Sequence, residues 1–546
     1  MFIESGQGLA QHAAAADVTI VGSGPLGLIA GLDLARKGRS VLILESGTRN
    51  HAAEPQDLAD AELVTPLTHY TPEITTERRL GGGGHLWGGR CVPFDPIDFA
   101  KRPWLNLAAW PIGADALEPY LAQACEMLGA GQPVFTRKVP DCTPNEANIT
   151  LNRLERWSNQ PRLDTLHAAE INDLPNLKIA LGCTVTRLFA NADNQVSAVG
   201  INGAAPDKKI PVRQLILAAG GNATASILLN EQTRDTTLFG GQDGSLGRTY
   251  MGHVNGQIAD IVVQDSALHN ALDFFLDGNG SYARHRLAPS DAAQQKHRLP
   301  NLVFWPVVPP IREPAHKSGA LSALFLALAN RTIGRLVIAE PIRQKHVGAP
   351  PYRRMQHIAN LLRDPVSLVR FLPVFIWRRY MAKNRVPGFF LTNPGKRYGL
   401  EFHAEHLPDP DSRLTLSERR DAVGQQRLKI DFRFSEEDAE GVIRAHHLLD
   451  DWLRSERLGH LIYRSDDLRA AVHAEAMHGN HQIGTVRMGH SAADGVVDQW
   501  GTSFDFANLH VASTAVFPTS SQATPTLAGA QFTLRLTDHL IQHRQV

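Results

Sequence analysis

The chain has 546 residues, too many for one ordinary core, so its length predicts two to four domains with room to bury a cofactor. Its 55 basic and 55 acidic side chains cancel, which excludes a global field drawing it to nucleic acid, a membrane or acidic substrates; any such preference must be local. Cys91, Cys125, Cys142 and Cys183 lie far apart with no C-x-x-C pair, which argues against a zinc site, an iron–sulfur cluster or a disulfide framework and fits a reducing compartment.

The first residues lack a basic n-region and a continuous apolar core. No segment offers the roughly 20 apolar residues a membrane helix needs. The expectation is a cytoplasmic chain.

Residues 17–45, DVTIVGSGPLGLIAGLDLARKGRSVLILE, read as strand, glycine turn, helix and strand of one βαβ unit. Gly22, Gly24 and Gly27 supply G-x-G-x-x-G where the helix must begin. The first permits the tight turn, the second lets backbone approach a pyrophosphate, and the third brings helix close to strand. Gly38 ends the helix, and Glu45 closes the second strand where an acid binds ribose hydroxyls. The motif predicts a dinucleotide and does not separate FAD from NAD.

Residues 78–90, RRLGGGGHLWGGR, place six glycines around one His and one Trp. Glycine loses the most backbone entropy on ordering, so such a run implies close approach to something flat or phosphorylated. Residues 114–128 read as a helix, 177–188 as a strand pair, and 197–201 with 209–217 as an antiparallel meander. That meander runs into LILAAGG, where Gly220 and Gly221 turn a buried strand into a helix able to press backbone on a cofactor. The nucleotide domain is therefore expected to be discontinuous.

Composition changes after about Met251. The strands at 414–416 and 428–434 alternate as one-sided sheet strands do, which predicts a second domain covering the first. Within it, residues 353–385 intersperse Leu361, Phe371, Leu372, Phe375 and Trp377 with Arg363, Arg370, Arg378, Arg379 and Arg385. Such a basic amphipathic stretch reads as a helical lid with snorkelling arginines, or as a contact for an anionic membrane or a partner.

The carboxyl segment carries HGNHQIGTVRMG at 478–489, VVD at 496–498 and NLHVASTAVFPT from Asn508, with a helix entered at Pro525 and Thr526. An alcohol gives up a hydride easily only if its proton leaves too, and neutral imidazole near pH 7 is the natural acceptor. His481 is the candidate base. His478 forms H-x-x-H with it, but no Glu or third ligand accompanies the pair, so no metal is expected.

Taken together, GSGPLG with Glu45, LGGGGHLWGG, LAAGG, H-x-x-G-T-x-R-M-G and NLHVASTAVFPT resemble the glucose-methanol-choline (GMC) oxidoreductases, in order over more than 500 residues. The stretches at 404–417 and 245–253 look most like the bacterial branch of sugar and glycoside dehydrogenases.

The resemblance implies an α/β fold: a discontinuous Rossmann-like FAD-binding domain from 1–250 and 471–546, and an α+β substrate domain on an antiparallel sheet from 251–470, with its lid around 353–385. By position, Gly22, Gly24, Gly27 and Glu45 would bind the ADP half of FAD, and Val185 its adenine end. Gly82, Gly83, Trp87 and Gly88 would border the flavin. Ala219 and Gly220 would line the cofactor, and Pro525 with Thr526 would set a helix N-terminus at its pyrimidine edge.

His481 matches the catalytic His, and Thr524 stands where an Asn or second His precedes Pro-Thr, as a substrate-positioning hydroxyl. Ser513 replaces an Asp at the phosphate end. His85 stands one place before Leu86, the position aligned with a flavin-linking His, so the FAD is expected to be non-covalent.

The implied activity is oxidation of a CH–OH group to a carbonyl with hydride transfer to flavin N5. Its substrate would be a small alcohol or glycoside, and the electron acceptor is left open among oxygen, quinone and cytochrome. Two alternatives stand beside it: a tailoring enzyme acting on a complex secondary-metabolite scaffold, and a flavoprotein subunit delivering electrons to a membrane or haem partner through 353–385.

Overall fold

The computed structural model describes residues 2–3, 8–105, 109–201, 208–330, 332–333, 347, 352–388 and 390–543; the side chains of Leu372, Arg379 and Tyr380 lie outside the described ones. Six strands run parallel in the order Phe2–Ile3, Leu177–Ala180, Val41–Leu44, Val18–Val21, Gln214–Leu217, Leu509–Val511. The strands VTIV and VLIL are buried at every position, because helices cover a parallel sheet on both faces. Pro25–Arg36 and Thr526–Gln542 share one apolar core on one face, while Gly221–Gln232 packs into the core on the other. The two helices of the first face are tied by Thr537, which donates to Asp33, and by Lys37, which bridges Asp33 and Asp538.

The connections differ locally from the sequence reading. The stretch 114–128 is no single helix: it forms 3-10 turns at Ala114–Ala116 and Glu118–Tyr120 before the helix Leu121–Met127. Pro119 breaks it, having no N–H for the helical ladder. Residues 177–188 are not a strand pair either. Leu177–Ala180 joins the parallel sheet, and Val185–Ala190 turns away to pair with Val196–Ile201, which pairs in turn with Lys208–Pro211. Pro211 ends that last strand, and Gln214–Leu217 re-enters the parallel sheet.

A second, antiparallel sheet has the order Leu302–Val307, Arg397–Glu405, His253–Val263, Gly459–Tyr463. Its two faces follow the alternation of the sequence. Phe304, Leu400, Phe402 and Ala404 are buried with Ala439, Val442 and Leu449 of the helix Glu436–Ser455 in a separate core. Trp305, Glu401, His403, Glu405 and His253 occupy the opposite face by register. One sheet thus presents apolar side chains to a helix and polar ones to the interior of the molecule.

Side chains 139–157 contribute to this second core, while Leu414, Leu428, Ile430 and Phe432 pack into the first. The hairpin Arg413–Arg420 with Gln426–Asp431 carries the latter, completed by Glu62–Leu63.

The stretch 353–385 is not one helix. Arg354–Arg363 and Pro365–Ile376 are separated at Asp364, and a π-helical turn Trp377–Met381 follows. Pro365 cannot continue the first helix, and Asp364 caps the second by accepting from Ser367 N at 3.3 Å. Among the described residues no helix is long and apolar enough to cross a membrane. The four cysteines are free and buried.

Candidate active site

A cavity of about 520 Å³ opens at the carboxyl ends of the parallel strands, where Val18–Val21 has the next strand, Val41–Leu44, on one side and the distant Gln214–Leu217 on the other. Ligands of open α/β sheets sit at such a switch point. Its wall takes residues that follow four of the strands: Gly22, Glu45, Ala218 to Gly221, and Ala512 to Thr514. The turn Asp421 to Gln425 closes it from the far side.

Of the sequence-predicted residues, Gly22, Gly24, Glu45, Gly82, Gly83, Trp87, Gly88, Val185, Ala219, Gly220, His481, Ser513, Thr524, Pro525 and Thr526 all line this cavity. Gly27 sits in the helix beneath, where a Cβ would collide with the Gly22 carbonyl oxygen. Gly22 itself has φ +100°, and a Cβ there would lie 2.7 Å from Ala218 O. A Cβ on Gly24, Gly83 or Gly88 would meet nothing within 4 Å. These glycines leave a space that side chains would occupy.

Glu45 is buried and accepts from Ser23 N at 2.9 Å, Ser23 Oγ at 2.6 Å and Gly47 N at 2.8 Å. Three donors fix the carboxylate and leave acceptor capacity on the cavity side. Trp87 is held by its Nε1–H donating to Pro161 O at 2.8 Å. His85 turns from the cavity, with Nε2 3.1 Å from Leu80 O and 3.2 Å from Asp164. Leu86 takes the lining position instead.

The carboxyl-terminal histidines meet the polar face of the antiparallel sheet. His253 Nε2 donates to the Ala523 carbonyl at 3.0 Å, so the neutral ring has a bare Nδ1. His481 Nδ1 lies 2.8 Å from that Nδ1 and must donate to it. His481 is thereby left with its basic lone pair on Nε2. His403 stacks on His253 at 4.2 Å and donates from Nδ1 to Gln522 O at 2.7 Å.

Burial pushes His253, His403 and His478 well below the usual imidazole range. His481 falls to about 3, through burial first and the Arg90 cation second. Ring nitrogens of His253, His478 and His481 lie within 4.8 Å of one another, but two of them are engaged with each other through the shared proton. Thr524 Oγ1 donates to Arg90 O at 2.9 Å, so the hydroxyl keeps acceptor capacity only.

Four wall or neighbouring residues escaped the sequence reading. Arg78 lines the cavity and donates to Ser46 Oγ at 2.8 Å. Arg90 lines it at the end of the glycine-rich segment. His253 and His403 support His481 from behind. The alternation of 400–405 carried a signal for His403; nothing in sequence placed it next to His253.

The C-terminal GMC oxidoreductase family matches residues 408–532, and the FAD dependent oxidoreductase family matches residues 17–286. The large subunit of fructose dehydrogenase from Gluconobacter japonicus is similar along its length: 21% identical, covering 96% of this chain and 98% of that one. The chain thus carries an FAD dependent oxidoreductase domain and a C-terminal GMC oxidoreductase domain.

Paromamine 6'-oxidase from Streptomyces fradiae is 34% identical over 119 residues, which is 19% of this chain and 21% of that one. The chain shares its fold with pyridoxine 4-oxidase from Mesorbium loti: TM-score 0.52, 16% identity, covering 97% of this chain and 99% of that one. An FAD-dependent oxidoreductase from Chaetomium thermophilum gives TM-score 0.53 at 12% identity, covering 97% of this chain and 100% of that one.

The enzyme is FAD-dependent, and its residues fit that cofactor. The side-chain-free space over Gly24, Gly83 and Gly88 admits a flat, phosphorylated group. Gly24 precedes the first turn of Pro25–Arg36, whose unpaired amides and dipole favour phosphate.

Proposed function

We propose that the enzyme oxidises one CH–OH group of a sugar, glycoside or related alcohol to a carbonyl, with His481 removing the hydroxyl proton. The observation that carries this reading is the proton order Ala523 O, His253, His481, which leaves a neutral imidazole with a free lone pair on the cavity wall. The bound FAD supplies the hydride acceptor. His481 Nε2 receives the proton, and its Nδ1 stays fixed on His253. Thr524, with its own proton committed to Arg90 O, serves as an acceptor that orients a substrate hydroxyl.

In this reading Gly22, Gly24, Gly27, Glu45 and Val185 hold the ADP half. Gly82, Gly83, Trp87 and Gly88 border the flavin, Ala219, Gly220 and Ser513 line its length, and Pro525 with Thr526 face the pyrimidine edge. His85 is engaged elsewhere, which supports a non-covalent FAD. Acid precipitation tests this: flavin released into the supernatant agrees with it, and flavin retained on the protein overturns it.

With a cofactor part of 1–250 and 471–546 and a substrate part of 251–470, His481 would belong to the first and His253 and His403 to the second. The likeness to paromamine 6'-oxidase over 19% of the chain keeps a tailoring role on a complex scaffold as a second reading. Anaerobic mixing with free sugars, glycosides and aromatic alcohols while following flavin absorbance separates the two. Efficient bleaching by simple glycosides counts against the tailoring role.

For the acceptor side, we read the face of 353–385 as a contact with an anionic membrane surface. Met355, Leu362 and Val369 are exposed by 76%, 79% and 72%, beside Arg363 and Arg370. Apolar side chains in water next to arginines suit an anionic interface.

A further inference from the structure

Arg90 is a cation with only one of its guanidinium nitrogens engaged among the described residues. Its Nε pairs with Glu155, whose other oxygen accepts from Arg284 Nε at 2.7 Å. Glu155 is fully buried, and Arg284, Arg90 and Arg286 together hold its carboxyl below the usual range against burial. Arg90 therefore shares Glu155 with Arg284, which Glu401 also faces, while Arg286 and Arg153 have Asp95 as their nearest acid.

The guanidinium of Arg90 is fixed 4.4 Å over the Trp305 ring. Its Nη2 is buried with no hydrogen-bond partner among the described residues. Neighbouring His253, His403 and His481 are neutral and bring no negative charge. A buried cationic donor without a partner is costly, and Arg90 lines the same cavity as His481.

We propose that Arg90 is the anchor for an oxyanion carried by the substrate, so that the site takes a hydroxylated carboxylate or phosphate in preference to a neutral alcohol. The inference rests on the reading that His481 marks the reacting end of the cavity. Guanidinium geometry matches both anions through paired N–H donors. Neutralising Arg90 also removes the one charge that opposes a proton on His481, so the base gains strength when the right substrate is in place.

Calorimetric titration of the holoenzyme with acetate and, separately, with inorganic phosphate tests the anchor without turnover. The expected result is saturable binding of at least one anion, weakened about ten- to a hundredfold in Arg90→Gln and partly kept in Arg90→Lys. Whichever anion binds tighter names the substrate group. In turnover, the ratio of kcat/KM for a hydroxy acid over its neutral counterpart should fall at least tenfold in Arg90→Gln, mainly through KM.

An unchanged ratio, or wild-type enzyme that binds neither anion, overturns the proposal. If Arg90→Gln purifies without flavin, the wild-type titration and Arg90→Lys decide. His481→Ala separates the two readings: it should keep anion binding and lose turnover. Retained turnover there sinks the role of His481 and leaves the anion result standing on its own.

Discussion

The Nδ1 atoms of His481 and His253 lie 2.8 Å apart, and only one of them can carry a proton. The Ala523 carbonyl settles which, because it takes the other proton of His253. His481→Ala should retain flavin and lose substrate-driven bleaching by about 10²- to 10⁴-fold, measured by anaerobic stopped flow. His253→Phe should cost about tenfold to a hundredfold, since the base remains but its orientation and tautomer are free. Near-normal bleaching in His481→Ala would refute the assignment.

Acid should destabilise the fold through its buried histidines. Burial lowers His446 to about 4 and His510 to about 3. Their folded values lie below the unfolded value, so the unfolded chain binds protons first. The stability they contribute is complete above about pH 6.5 and is lost as pH falls toward the folded values. At pH 5 each such ring costs about 2 kcal/mol. Thermal melts from pH 7 to pH 4.5 should show a steady fall in Tm; a flat profile would contradict the burial argument.

The glycine cradle makes a separate prediction. Gly83→Leu and Gly24→Val put side chains into space now open to the cavity. Both should purify folded by circular dichroism and without visible flavin absorbance. Gly27→Ala acts differently: its Cβ meets Gly22 O, so it should lower stability as well as flavin content.

Arg102 and Glu405 form a bidentate pair, both fully buried in their side chains, at 2.6 and 2.7 Å. Arg102→Met leaves the carboxylate buried without its cation and should cost about 3–5 kcal/mol, read from urea midpoints. A loss under 1 kcal/mol would mean the acid had found another partner.

Reversing Arg363, Arg370 and Arg378 to Glu should abolish sedimentation with phosphatidylglycerol vesicles and leave flavin content unchanged. Equal binding to pure phosphatidylcholine vesicles by the native chain would remove the electrostatic reading.

The sequence made the nucleotide half legible because its signals are local. Gly22, Gly24 and Glu45 fall within one βαβ unit, and the turn chemistry dictates where each must sit. The alternation of Leu400, Phe402 and Ala404 against Glu401, His403 and Glu405 is a local signal of the same kind, although the sequence reading expects such strands only at 414–416 and 428–434. The support of His481 was not legible. His253 is 228 residues away and Glu155 is 65 residues from Arg90, so only tertiary packing and the pairing of Arg90–Cys91 with Leu154–Trp157 bring them together. The breaks at Pro119 and Pro365 were local too, but apolar periodicity masked them.

Leu509–Val511 forms one border of the parallel sheet, and Thr526–Gln542 covers the helix that follows the first glycine turn. Vectorial synthesis delivers those segments long after residues 17–45 have left the ribosome. A nascent chain therefore carries an unfinished dinucleotide fold through most of translation, with Asp33 and the face of Pro25–Arg36 still exposed to water. Capture of the flavin must wait until residues 509–542 have emerged, which makes those late segments the gate between an apoprotein awaiting chaperones and a yellow enzyme.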